Sequence, residues 1–149
     1  MQSSNGWNLL FHPAFLLVLT RLEHEAEKSK IKNPDNQQNS FELKVLRSLY
    51  AQVYGAIPRN PADPSFKLGN TLGPKFRHWL RAKFRQQYRI FFRYSSKSSV
   101  IVYAWANNRE NLRAFGSKND AYLVFKRMLE SGKIPNSWDE LIDEAKKLN

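Results

Sequence analysis

The chain has 149 residues, no cysteine and a formal net charge of +11. That length amounts to one domain, spanning 1–149, able to bury about two thirds of its unfolded surface without staples. The missing cysteines exclude disulfides, thiol nucleophiles and cysteine-ligated zinc, and no apolar run is long enough to cross a bilayer, which suits a cytoplasmic protein.

In chain order, the patchily apolar stretch Leu9–Leu22 is broken by His12, Pro13, Thr20 and Arg21, and it reads as part of the fold rather than as a leader. A helix is predicted from His12 to Lys30, with Pro13 at its first position and Phe15, Val18, Leu19, Leu22 and Ala26 along one face. Residues 31–39 read as a polar loop. Ser40 caps a second predicted helix reaching about Tyr54, with Pro58 as its stop. Residues 58–74, punctuated by four prolines and two glycines, read as an ordered crossing. The period then changes from 3.6 to 2, and Trp79–Phe84, Tyr88–Tyr94 and Val100–Ala106 read as an antiparallel meander. Two capping boxes, Ser117–Asp120 and Ser137–Glu140, open helices at Ala121–Leu129 and Trp138–Leu148, with Gly132 as the stop between them. The expected fold is α+β: two N-terminal helices, a small antiparallel sheet and C-terminal helices, all the helices against one sheet face.

The charge is unevenly placed. Residues 1–63 hold seven Lys/Arg and six Asp/Glu, and residues 110–149 hold seven of each. Residues 64–109 hold ten Lys/Arg and no acid, together with ten of the twenty aromatic residues. Solvated charge runs mix signs, so this third implies a polyanionic partner: RNA, DNA or an acidic protein. Strand alternation puts Arg81, Lys83 and Arg85 on one side with Trp79, and Arg89 and Arg93 with Phe91. One consistent solution sets Leu80, Phe84, Ile90, Phe92, Val102 and Ala104 under the helices. Five cations are then left outside with Trp79, Phe91, Tyr103 and Trp105. Such a face holds phosphates through its cations and stacks unpaired bases on its rings.

His12, His24 and His78 lie far apart, the basic third has no carboxylate to ligate a metal, and Gly69–Gly73 lacks the lysine of a phosphate loop. No cofactor or metal is expected. What these residues permit is metal-free RNA cleavage, with the ribose 2′-hydroxyl as nucleophile. Clustered cations would neutralise the phosphorane, and a lysine crowded by other cations could share in proton transfer.

Several stretches together carry a family resemblance: Asn5-Gly-Trp7 with His12-Pro13, Trp79-x-Arg81-x-Lys83-Phe84, Tyr88-Arg-Ile-Phe-Phe-Arg-Tyr94, Trp105-x-Asn107, Leu112-Arg113-x-Phe115-Gly116-x-Lys118, and Asp120-Ala-Tyr122-x-x-Phe125. The chain resembles the YhaV-type toxins of type II toxin–antitoxin modules, within the RelE superfamily of ribonucleases. The resemblance implies a RelE-like fold and an endoribonuclease that cuts mRNA, often with the ribosome. It also implies an AbrB-like antitoxin, through whose complex alone operator DNA would be bound. The matching positions imply Lys83, Arg89, Arg113 and Tyr122 as catalytic, with Arg81 binding RNA beside them; Arg93, Asn107 and Asp120 in matching motifs, and Arg85 and Trp105 on the basic face, complete the expected RNA-binding set. One departure stands out, because the family's first strand turn usually contains glycine and Arg85-Gln86-Gln87 does not. Two other readings use the same basic face: a non-catalytic RNA- or DNA-binding regulator, and a catalytically dead protein that docks an acidic partner.

Overall fold

The chain opens on a β-hairpin, not on a helix. In the computed structural model, which describes residues 2–32, 40–114 and 116–147, β1 (Gln2–Ser4) turns back into β2 (Trp7–Phe11) through Asn5 and Gly6. Both turn residues have positive φ, +50° and +83°, the pairing that a two-residue hairpin needs and that Asn-Gly supplies. That dipeptide was the signal for two strands the sequence reading did not place. The three expected strands follow as β3 (Leu80–Phe84), β4 (Tyr88–Ser95) and β5 (Val100–Ala106). Because β2 pairs with β5 in parallel, the sheet is five-stranded and mixed, in the order β1-β2-β5-β4-β3.

Helix α1 (Pro13–Lys32) starts where expected, with the His12 Nδ1 accepting the Ala14 N–H at 3.1 Å. It runs two residues past Lys30; the rest of the expected loop, 33–39, falls outside the described residues. Helix α2 (Phe41–Ala51) is capped by the Ser40 Oγ, which accepts the Leu43 N–H at 3.1 Å. Pro58 does not stop it. The helix widens into a π-turn over Gln52–Ala56 and tightens again as α3 (Ile57–Arg59). Two carbonyls lose their helical partners there, for different reasons. Pro58 has no N–H for the Tyr54 carbonyl, and the Ile57 N–H reaches back to Gln52 and leaves Val53. The Ser4 Oγ donates to the Tyr54 carbonyl at 2.8 Å, and the Tyr103 hydroxyl donates to the Val53 carbonyl at 2.6 Å. The hairpin and β5 thus satisfy the helix that crosses them.

Helices cover both sheet faces, which corrects the one-sided expectation. On the first face Tyr103 meets Phe11 and Phe15, with Phe92 on the neighbouring strand, beneath α1. On the second, Phe125 of α4 (Ala121–Glu130) stacks on Phe91 at 4.1 Å and meets Trp79 edge-on. Helix α5 (Trp138–Lys146) packs on β2 and β5, and its Glu144 accepts from the His12 Nε2 at 2.8 Å. The phase of β5 also differs from strict alternation. Phe92 pairs with Tyr103 but Phe91 pairs with Trp105, so Ala104 is the extra residue of a bulge. Ile101 and Tyr103 therefore lie under α1, while Val102 shares the Arg93 side and Trp105 shares the Phe91 side.

Helix α4 is capped by Asp120, not Ser117: the Asp120 carboxylate accepts the Tyr122 N–H, and the Ser117 Oγ accepts only from Asn119. Gly132, at φ +79°, ends it as expected. The Ser137 Oγ faces the Glu140 N–H at 3.5 Å at the start of α5.

The Tyr103 bond is testable. Burial pushes this phenol's pKa well up, so it stays a donor throughout the ordinary pH range. Tyr103→Phe strands the Val53 carbonyl in the core and should lower stability by about 1–3 kcal/mol. Urea unfolding should show a lower midpoint with an unchanged slope; an unchanged midpoint would show that the carbonyl finds another donor.

Candidate active site

One hydroxyl collects the cations. Tyr122 sits in the first turn of α4, and its Oη accepts from the Arg81 Nε and the Arg89 Nε, each at 3.0 Å. The Arg113 guanidinium lies over the same ring, 4.9 Å from its centre, and that of Arg89 is at 5.9 Å. Three guanidiniums thus surround one phenol. Of the three, Arg113 has a carboxylate partner in Asp120, bonded to its Nη1 at 2.5 Å, so the cluster keeps excess positive charge.

Arg89 and Arg81 are held by backbone carbonyls. The Arg89 Nη1 donates to Gln86 and Tyr88 at 2.7 and 2.9 Å, and the Arg81 Nη1 donates to Ser65 and Lys67 at 3.0 and 3.1 Å. Arg89 is only 7% exposed, which corrects the expectation of a surface side chain. The β3–β4 turn that supplies the Gln86 carbonyl is strained. Arg85 and Gln86 have φ +45° and +64° without being glycine, a cost of about 1–2 kcal/mol each. The loop after β5 holds the turn in place: Gln87 accepts from the Arg113 N–H at 2.9 Å and from the Asn107 Nδ2 at 3.0 Å. The Gln87 Nε2 donates back to the Arg113 carbonyl. Asn107 also takes the Arg89 N–H at 2.6 Å, and Asp120 takes the N–H groups of Ala114 and Tyr122.

The structure therefore brings together Arg81, Arg89, Arg113 and Tyr122, with Asn107 and Asp120 buried behind them as anchors. Lys83 pairs with Arg89 across the strands and shares its face, but its side chain is exposed and lines a groove with Arg59, Asn60 and Ser65. Like charges directly opposite one another destabilise a sheet. Arg89 turns inward to the phenol and Lys83 stays out in water.

Three residues depart from the expected binding face. Arg85 has left the strand through its left-handed backbone, and its guanidinium lies over Phe41 of α2 at 5.7 Å. Arg93 is wedged between Trp79 and Trp138, 5.3 Å from each ring, where burial works against its charged form. Trp105 is 3% exposed beneath Phe125, so its ring supports the site from within and meets no base. Trp79, Phe91 and Tyr103 are closed off completely. The expected stacking platform is core, because α4 and α1 cover the rings that alternation had left outside.

Residues not anticipated from sequence also build the site: Gln86 and Gln87 through their carbonyls, and Asn136, which holds Trp79, His78 and Arg93 at once. Backbone acceptors carry no sequence signal. A small cavity of about 60 Å³, lined by apolar side chains together with Arg21, Glu25, Glu42, Arg109 and Glu110, lies away from the cluster between α1, α2 and β4 and touches it through Asn107. Its lining suits packing rather than a polyanion. Among the described residues no group of three His, Asp or Glu could hold a metal ion, and no helix is long and apolar enough to cross a membrane.

Fold and site define a small mixed α+β protein with a guanidinium cluster gathered on one tyrosine hydroxyl. The chain belongs to the YhaV toxin family, whose model, described as a toxin with endonuclease activity of a toxin–antitoxin system, matches residues 9–146. It is 40% identical over 148 residues to the Ribonuclease toxin YhaV of Escherichia coli strain K12 and to Toxin YhaV of Escherichia coli O6:H1. Each match covers 98% of this chain and 96% of the relative.

Asp120 is the joint of this arrangement, and two substitutions separate its roles. Asp120→Asn keeps a capping oxygen but loses the charge facing Arg113; Asp120→Ala loses both. The alanine variant should lose roughly 2–4 kcal/mol, combining a cap with a largely buried charge partner. The asparagine variant should lose less, by about the 1 kcal/mol that a retained cap contributes. Thermal melts decide: equal losses would mean the cap contributes nothing.

Proposed function

We propose that this chain is a metal-independent endoribonuclease that cuts mRNA to arrest growth and is neutralised by a partner antitoxin. The observation that carries the reading is the sharing of one phenol oxygen by two guanidiniums with a third above the ring. Cations held this close repel one another, and a phosphoryl group with spread negative charge is the ligand that relieves them.

The chemistry follows from the donor inventory. A phenol has two acceptor lone pairs and one proton. Arg81 and Arg89 take both lone pairs of Tyr122, so what remains is a positioned O–H donor. In cleavage the ribose 2′-oxygen attacks phosphorus, its proton leaves, and the bond to the 5′-oxygen breaks. Tyr122 is suited to protonate that leaving oxygen, and the exposed Lys83 to the proton transfer at the 2′-oxygen. Arg89 and Arg113 stabilise the charge that builds on the phosphorane, and Arg81 positions the phenol. The products are a 2′,3′-cyclic phosphate and a 5′-hydroxyl. Asn107 and Asp120 act through Arg89, Arg113 and Tyr122 rather than on RNA.

The motif resemblance supports three finer parts of the reading: a RelE-like arrangement of sheet and helices, an AbrB-like antitoxin that brings the complex to operator DNA, and cleavage on the ribosome. The name of the Escherichia coli K12 relative, a ribonuclease toxin, supports RNA as the substrate.

Two measurements test the reading. Cleavage should survive EDTA and leave a cyclic phosphate end, and Tyr122→Phe should slow single-turnover cleavage about 10²–10⁴-fold. Loss of activity in EDTA with recovery on Mg²⁺, or a parental rate in Tyr122→Phe, would overturn the assignment. Inducing the chain should arrest growth, and co-expressing its antitoxin should restore it. Unaffected growth at confirmed expression would sink the toxin role.

A further inference from the structure

Beyond the guanidinium cluster, the far end of the β3–β4 ladder carries an open groove of about 540 Å³. Strand β3 begins at Leu80, opposite Phe92, so Arg93, Tyr94 and Ser95 of β4 have β5 on one side and no strand on the other. The groove forms at this missing corner and is lined by Lys67, Arg77, His78, Arg93, Tyr94 and Ser96, with no acid among its residues.

Its groups are chemically set. Arg93 is clamped between two tryptophans, with its Nη1 on the Asn136 carbonyl at 2.8 Å. Lys67 and Arg77 are exposed. The Trp79 Nε1–H can only donate, which fixes the Asn136 Oδ1 as its acceptor at 2.9 Å. The His78 Nε2, 2.7 Å from the same oxygen, is therefore a donor too. Burial, then the nearby Arg93 charge, push the His78 pKa down and favour the neutral ring. A neutral ring protonated at Nε2 offers its Nδ1 as an acceptor. The groove thus combines three cations, an aromatic phenol and one hydrogen-bond acceptor.

We propose that this groove is an RNA subsite for a nucleotide flanking the cleavage point: Lys67, Arg77 and Arg93 hold its phosphate and His78 accepts from its base. An acidic peptide would match the same cations and, through a backbone N–H, the same imidazole; what favours a nucleotide is that the groove runs on from the cluster assigned to the scissile phosphate. A nucleotide brings a phosphate together with N–H donors. The subsite is continuous with the cluster, since Arg81 donates to the Lys67 carbonyl and to the Tyr122 hydroxyl from one side chain. Arg89 and Arg93 share a strand face four residues apart, about 13 Å along the strand, which places the groove beside the scissile group and not on it. The proposal rests on the ribonuclease reading.

The test is binding of a 2′-O-methyl oligoribonucleotide, which cannot be cleaved, followed by fluorescence anisotropy across a salt series. The double variant Lys67→Gln/Arg77→Gln should bind at least ten-fold more weakly at low salt. Its slope of log K against log salt should be shallower by about 0.7, the value for one single-strand phosphate no longer neutralised. His78→Phe should weaken binding to oligouridylate more than binding to an oligomer of 3-methyluridine, whose base has no N–H to donate. Thermal melts of each variant confirm folding; both altered cations are exposed, and Lys67→Ser/Arg77→Ser serves as a second pair. A parental slope and affinity in folded double variants would overturn the subsite alone. Failure of the unaltered protein to bind RNA would overturn the ribonuclease reading with it. Polyglutamate binding that the double variant loses, with RNA affinity unchanged, would also overturn it.

Discussion

Two guanidinium groups share the oxygen of Tyr122, and much of the surrounding structure exists to make that tolerable. Arg89 is buried, and a buried cation is costly unless every donor finds a partner. Its donors reach the phenol and two carbonyls of the strand and turn, and Arg81 is satisfied in the same manner by the loop before β3. Among the described residues no carboxylate pairs with either. Dipoles hold these cations in place and leave their charge available, which is the electrostatic condition for receiving a phosphoryl group.

The turn between β3 and β4 follows from the same constraint. Two consecutive non-glycine residues in the left-handed region need compensation, and it comes from Arg89, Asn107 and Arg113, which grip the turn carbonyls. The strain sits beside the candidate site, where over-determined backbone is ordinarily found. Through Asp120 the same network reaches the first turn of α4, so the helix that carries Tyr122 and the turn that holds Arg89 are one connected unit.

The aromatic residues of the basic third serve the core rather than the ligand. Phe91 and Trp105 of the strands and Phe125 of α4 form one near-parallel cluster, and Trp79 closes against Phe125 from the side. This cluster is what allows α4 to seat Tyr122 against the strands. The recognition we propose rests on cations, on carbonyl-held geometry and on the rim, where Lys67, Lys83 and Arg77 remain in water.

Local chemistry made part of this protein legible in one dimension. Alternation gave the three meander strands, Ser40 and Ser137 marked their helix starts, and the acid-free run from 64 to 109 located the charge. The motifs around Arg81, Arg89, Arg113 and Tyr122 marked residues that do converge. Tertiary structure decided which side of the sheet each residue faces. A single bulge at Ala104 moved Trp105 relative to Tyr103, and helices on both faces turned expected platform rings into core. The first hairpin was under-read because two three- to five-residue strands carry little periodicity, and they hold only by pairing with each other and with β5. Pro58 was misjudged as a stop because the donors that rescue the helix, Ser4 and Tyr103, lie about fifty residues away along the chain. Residue type sets which hydrogen bonds a side chain can make; only the folded chain sets which partners come within reach.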